Sequence, residues 1–294
     1  MDFEREELFN EDTKNFKYLD DLIHSGVKEI VLDLDIALDD DEQSEYEDGI
    51  KLDVDDIVID GNGHTIDPDV QGRIFSCTGK NIKIKNITLE YGSNIDGGAI
   101  NNNGELTIIK SLIRANESGD CGGAISNSGE LTIIESKINE NTARGDGGAI
   151  FNSGELTIIE SLLNKNTAYE SGGAISNFGK LTITESIFNE NKVSFRGGAI
   201  VNYNAECTIS NSTFDGYTGR LDEAIENYEA ECTISNSTFD GDTIKKRKEY
   251  KNGWIDDEED DYIGTNCFSE HSHDDFNEEY EAIQKEMERL RLNK

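Results

Sequence analysis

A unit of 25 residues recurs in phase through the middle of the chain. Gly97-Gly98-Ala99-Ile100 returns at Gly122-Gly123-Ala124-Ile125, Gly147-Gly148-Ala149-Ile150, Gly172-Gly173-Ala174-Ile175 and Gly197-Gly198-Ala199-Ile200, and a decayed copy stands at Asp222-Glu223-Ala224-Ile225. A fixed period of this kind predicts a solenoid, in which each copy packs only on its neighbours.

The residues inside the unit say which solenoid. An asparagine follows each isoleucine two positions on, at Asn102, Asn127, Asn152, Asn177, Asn202 and Asn227. Next comes Leu-Thr-Ile, as Leu106-Thr107-Ile108 and its equivalents, which becomes Cys207-Thr208-Ile209 and Cys232-Thr233-Ile234 in the last two copies. Apolar residues two apart with threonine between them have the period of a strand with one buried face. A serine, an apolar residue and a second asparagine (Asn116, Asn141, Asn166, Asn191) complete the unit. No stretch has helical spacing long enough for a helix, which excludes the helical repeat families, and the leucine-rich horseshoe carries a different pattern. Short strands separated by Gly and Asn corners predict an all-β fold, a right-handed parallel β-helix of about nine coils. At the usual strand spacing these would stack to roughly 40 Å. The Asn column is read as a structural ladder, each amide satisfied by the coil above or below.

The period extends backwards, since Ile57-Val58-Ile59 lies one unit before Ile82-Lys83-Ile84 and Ile50 one unit before Phe75. The predicted organisation is an N-terminal segment with a cap helix over 1–26, the β-helix over 27–243, and an acidic tail with a terminal helix over 244–294. Phe16, Leu19, Leu22 and Ile23, ending at Gly26, supply the first helix. Phe276, Tyr280, Ile283, Met287 and Leu290 supply the second, an amphipathic segment that is read as a cap or solvated helix, with a coiled-coil dimerisation segment as the sharper alternative.

Gly-Gly-Ala-Ile paired with a downstream Phe188-Asn189-Glu190-Asn191 resembles the repeat of chlamydial polymorphic outer-membrane proteins. The stretch from Ile57 through Asp60-Gly61-Asn62-Gly63-His64-Thr65-Ile66, with Asn81 to Leu89, resembles archaeal adhesin-like surface proteins. Both groups lie in the pectin-lyase-like superfamily. The resemblance implies the right-handed parallel β-helix and a place at the cell surface, while this fold hosts adhesins, lyases and hydrolases alike. Met1-Asp2-Phe3-Glu4-Arg5-Glu6-Glu7 is acidic with no apolar core, which departs from a secretion signal and leaves a cytoplasmic location as the alternative. No run of apolar residues is long enough to span a membrane as a helix.

Acidic residues outnumber basic ones 62 to 27, for a net charge of −35, which argues against a nucleic-acid partner. Calcium would be the natural counter-ion, and Asp96, Asp120 and Asp146, each just before a Gly pair, form the candidate metal set; no other cofactor is implied. Cys267, His271 and His273 form a second, weaker metal pattern. Cys207 and Cys232 are read as a stack of small apolar side chains rather than a disulfide. Arg73, Arg144 and Arg196 fall in corners without a common set of partners, and no catalytic residue is assigned. The leading expectation is therefore an adhesin-like envelope protein that binds glycans or other cells without catalysis. An intracellular scaffold and a polysaccharide lyase or glycoside hydrolase are the alternatives.

Overall fold

A computed structural model describes residues 13–219 and 223–240 and the backbone of 244–247. The terminal helix (Phe276 to Leu290), the Cys267/His271/His273 pattern and most of the acidic tail lie outside the described residues.

The Leu-Thr-Ile alternation becomes strand because its two apolar residues point inward and its threonine outward, as in Glu105–Ile109. Stacking the units side by side gives four parallel sheets among the described residues. The first has nine strands, from Ile50–Leu52 through Ile100–Asn102 to Ile244–Arg247. The second also has nine, from Glu29–Val31 through Glu105–Ile109 to Glu231–Ser235. The third has ten, from Thr13–Asn15 through Leu112–Arg114 to Thr238–Phe239. A fourth sheet of five two-residue strands runs from Ser93–Asn94 to Lys192–Val193. The chain is thus an all-β parallel solenoid of about nine coils. Parallel pairing reaches Thr13–Asn15 on one side and Ile244–Arg247 on the other, so strands lie beyond both ends of the 27–243 span.

Register follows the repeat. Leu106 pairs with Leu131, Leu131 with Leu156 and Leu156 with Leu181, so like side chains stack on like. Leu106, Ile108, Ile113 and their equivalents are almost wholly shielded as far as Cys207, Ile209 and Phe214, and Cys232, Ile234 and Phe239 in the last coil are partly buried. Each such side chain contributes roughly 1.5–3 kcal/mol through burial. Phe188, Phe214 and Phe239 continue one inward column as stacked rings 4.7 and 4.9 Å apart.

The inward asparagines form hydrogen-bonded chains. Asn102 Nδ2 donates to Asn127 Oδ1 at 2.7 Å, and the pattern repeats through Asn152, Asn177 and Asn202 to Asn227. Asn227 Nδ2, at the end of the chain of amides, has no acceptor among the described residues. A second chain links Asn116, Asn141, Asn166 and Asn191. Serines at the neighbouring corner accept from the backbone of the coil before, as Ser136 Oγ does from Ser111 N at 3.1 Å.

The helix Phe16–Ile23 precedes the second-sheet strands. Asn15 caps it by accepting from Tyr18 N at 3.1 Å, and it buries Phe16, Leu19 and Ile23, with Phe16 meeting Tyr46 edge-on at 5.9 Å. Leu22 is only partly buried.

One cysteine expectation is corrected. Cys207 and Cys232 are joined in a disulfide, across a Cα separation of 4.4 Å. Adjacent parallel strands bring in-register residues into the range that a disulfide spans, so a stack of unbonded thiols was not the only arrangement open to them.

Candidate functional site

Each Gly pair turns the chain from the third and fourth sheets into the first. Gly147 does so at φ +69, and a Cβ on Gly148 would meet Gly173 O at 2.2 Å, so neighbouring coils touch backbone to backbone there. Residues just before the pairs are held against this close-packed corner. In the described coils they are where the repeat departs most from uniformity.

Two columns of acids meet at the corner. Asp96 and Asp146 stand immediately before their glycines, whereas Asp120 and Glu170 stand two positions before theirs. Asp120, Asp146 and Glu170 are buried to 6, 7 and 6% exposure, on three successive coils. Asp96 is half-buried, and its Oδ1 accepts from Cys121 N at 3.2 Å. Asp96, Asp120 and Cys121 each present a ligand atom, all within 4.8 Å of one another. Cys121 is disulfide-bonded, which leaves the carboxylates as the hard ligands of that group. The structure therefore brings Asp96 and Asp120 together, with Asp146 in the next coil close enough to feel the charge of Asp120.

The electrostatics are severe at Asp146. Burial above all, and then the charges of Glu170 and Asp120, push its carboxyl up to about 8, against the opposing hydrogen bond from Ser171 and the charge of Arg196. Among the described residues its Oδ1 has no hydrogen-bond partner. Glu117, at the edge of the same corner, is likewise raised by burial, with Arg144 opposing at 3.9 Å.

The three corner arginines lie along this row, each with partners of its own. Arg73 donates to Gly97 O at 3.1 Å and Asp96 O at 2.8 Å, Arg144 faces Glu117, and Arg196 acts on Asp146. Arg196 also lies over the Tyr228 ring at 5.5 Å. An aromatic column on the outward side of the first sheet borders the acids. Phe178 and Tyr203 stack at 4.6 Å, Tyr203 and Tyr228 at 5.1 Å, and Tyr203 Oη lies 3.0 Å from Ser171 Oγ. Burial raises both tyrosines well above their usual range. Nearer solvent, Tyr169 meets Phe195 edge-on at 5.7 Å and is half exposed. Glu170 and the aromatic column escaped the sequence reading, although a search for acids at the second position before each Gly pair finds Asp120 and Glu170 together.

The second sheet offers a different surface. Its outward threonines, Thr107, Thr132, Thr157, Thr182, Thr208 and Thr233, lie in register. One flanking column is exposed charge, Glu105, Glu130, Glu155, Lys180, Glu206 and Glu231. The other runs from Ile109, Ile134 and Ile159 to Thr184 and Ser210, all partly exposed. At the corner between the second and third sheets a groove of about 410 Å³ is lined by Asn86, Thr88, Lys110, Ser111, Leu112 and Lys137, among others. His24 and His64 each contact an aspartate, Asp53 and Asp35 respectively.

Comparison with family models matches residues 15–115 to a putative pectate lyase-like adhesive domain, and residues 135–153 to the repeat of the chlamydial polymorphic membrane protein. A search of curated proteins gives no match. Among solved structures, the Streptococcus pneumoniae surface protein and adhesin PfbA is similar at a TM-score of 0.30 and 12% identity, covering 74% of this chain and 89% of that one. Sequence matches and strand topology together describe a β-helix repeat protein with an adhesive-domain likeness in its first coils. No helix among the described residues is long and apolar enough to cross a membrane.

Proposed function

We propose that the chain is an adhesin-like protein of the cell surface or envelope that holds glycans without transforming them. The observation that carries this reading is the outward face of the second sheet, where threonine hydroxyls recur in register from Thr107 to Thr233 beside partly exposed isoleucines. Saccharides present hydroxyl edges and apolar ring faces. A surface in which a column of hydroxyls runs beside a column of aliphatic side chains, each repeating at one strand spacing, matches both, and repetition gives avidity where each contact is weak. The groove at Lys110 and Lys137 adds concavity to the edge of the same sheet. The likeness of residues 15–115 to an adhesive domain supports the surface role.

Two measurements test this. Protease shaving of intact native cells, followed by mass spectrometry, should release peptides from residues 97–243 before lysis. Purified protein should bind members of a glycan array without releasing reducing or unsaturated sugar, and replacing Thr132, Thr157 and Thr182 by lysine should abolish that binding. Peptides seen only after lysis, or glycan binding indifferent to the threonine face, would refute the proposal.

A further inference from the structure

From Ile82 onward, one left-handed residue turns the chain from the second sheet into the third in each described coil. At three of these corners that residue is asparagine and threonine follows two positions on, as Asn86-Ile87-Thr88, Asn211-Ser212-Thr213 and Asn236-Ser237-Thr238. At the other four, Lys110, Glu135, Glu160 and Glu185, the residue two positions on is Leu112, Lys137, Leu162 or Ile187. Asparagine and threonine are thus present together or absent together. Folding does not require the pairing, because the left-handed conformation favours asparagine with no demand on the residue two positions later. Asn86 Nδ2 donates to Asp60 Oδ1 and Thr238 Oγ1 to Thr213 Oγ1, both at 3.1 Å; among the described residues no hydrogen bond joins any of the three asparagines to its threonine. All three asparagines are exposed. Asn-x-Thr on an exposed turn is the acceptor motif for an N-linked sugar. Asn116-Glu117-Ser118 also fits the motif, but Asn116 is 1% exposed and its Nδ2 is held by Asn141 Oδ1, Leu89 O and Arg114 O.

We propose that Asn86, Asn211 and Asn236 are acceptors of N-linked glycans and that Asn116 is not. The donor is an oligosaccharide activated as a glycosyl phosphate on a lipid carrier. A bond forms between the asparagine Nδ2 and the anomeric carbon as the bond from that carbon to the phosphate oxygen breaks. The lipid phosphate leaves with the electron pair, and the amide gives up one proton to a base of the transferase. The substituted amide keeps one N–H, so Asn86 can still donate to Asp60. This inference rests on the surface reading above, because such transfer takes place outside the cytoplasm. The Cys207–Cys232 disulfide agrees with it, being a bond that persists in oxidising compartments. Asn211 and Asn236 follow Ser210 and Ser235, which pair in register on successive coils. Their corners are therefore about 4.8 Å apart, and one sugar at a time fits the pair. The corners at Lys110, Glu135, Glu160 and Glu185 stay bare, which leaves the threonines from Thr107 to Thr182 uncovered between sugars at either end. Asn86 also lines the groove with Lys110 and Lys137, which its sugar would narrow.

The test uses the full chain from its native cells. Peptides spanning Asn86, Asn116, Asn211 and Asn236 are collected by protease shaving and again after lysis, and their masses are read by fragmentation that keeps sugars attached. Wild type is compared with Thr88→Val, which keeps the side-chain shape and removes the hydroxyl that the motif requires. The expected result is whole-sugar mass additions on Asn86 and, once per molecule, on Asn211 or Asn236, with none on Asn116. Thr88→Val should clear Asn86 and leave the Asn211/Asn236 pair modified. Shaved peptides that are bare at all three corners would overturn this inference and leave the surface reading standing. Sugar on Asn116 as often as on Asn86 would overturn the selection by exposure. Peptides that appear only after lysis, and bare, would overturn both.

Discussion

Asn152 donates its side-chain amide to Asn177 Oδ1 at 2.7 Å, and neither residue is exposed to solvent. The same amide also reaches Gly154 O and Lys180 O, so one side chain binds its own turn and the next coil at once. Asn152→Ala removes these bonds together with the one its Oδ1 accepts from Asn127 Nδ2, and leaves Asn177 Oδ1 only the longer bond from Gly179 N. An unmade buried bond costs roughly 1–3 kcal/mol, and the lost volume adds to it. The expected loss is about 3 kcal/mol, read from the denaturant midpoint. Native-state hydrogen exchange should show the opening centred on coils 150–185.

Gly148 has no room for a side chain, because the backbone of the next coil occupies the place. Gly148→Ala forces those coils apart, which separates the paired backbones on both sides. We expect a loss of more than about 2 kcal/mol, as typical of core overpacking. A melting temperature equal to that of wild type would show that the corner yields freely.

The tight turn between the second and third sheets needs a left-handed residue in each coil. Asparagine fills it at Asn86, Asn211 and Asn236, but lysine or glutamate does so at Lys110, Glu135, Glu160 and Glu185, with φ between 47° and 52°. Side chains other than Gly, Asn and Asp rarely adopt this region. Glu160→Asn is therefore expected to stabilise the protein by about 0.5–1 kcal/mol. Thermal melting of single and combined Glu→Asn variants measures the gain, which should add across coils.

His24 gives the fold a mild dependence on acidity. Its hydrogen bond to Asp53 at 3.0 Å holds its pKa above 6.5, with burial opposing. A group raised on folding contributes stability that is fully present below its unfolded pKa and is lost as pH rises through the folded value. Wild type should melt slightly above His24→Gln at pH 5.5, and the gap should close by pH 9. An equal gap at both values would assign the contact a role independent of charge.

The architecture was legible because its signal is repeated. Leu, Thr and Ile recur at one spacing, so the register Leu106 to Leu131 to Leu156 could be counted before any strand was seen. The acidic corner was legible only in part. Asp96 and Asp146 share one column, but Asp120 belongs to the column of Glu170, and only folding shows that the two columns converge. The burial of Tyr203 and Tyr228 on an outward strand face was hidden for a related reason. Alternation assigns a side chain to a face and carries no information about what lies over that face. The Cys207–Cys232 pair was undecidable from spacing, because stacked thiols and a disulfide both fit neighbouring strands.

In-register stacking has a genetic consequence. The strand Glu130–Ile134 meets nearly the same sequence in the coil before it as in the coil after it. Unequal recombination between two copies of the unit would delete or insert one whole turn while leaving every remaining turn with neighbours it already fits. The number of turns, and with it the reach of the protein, can therefore drift between lineages without a new fold having to evolve.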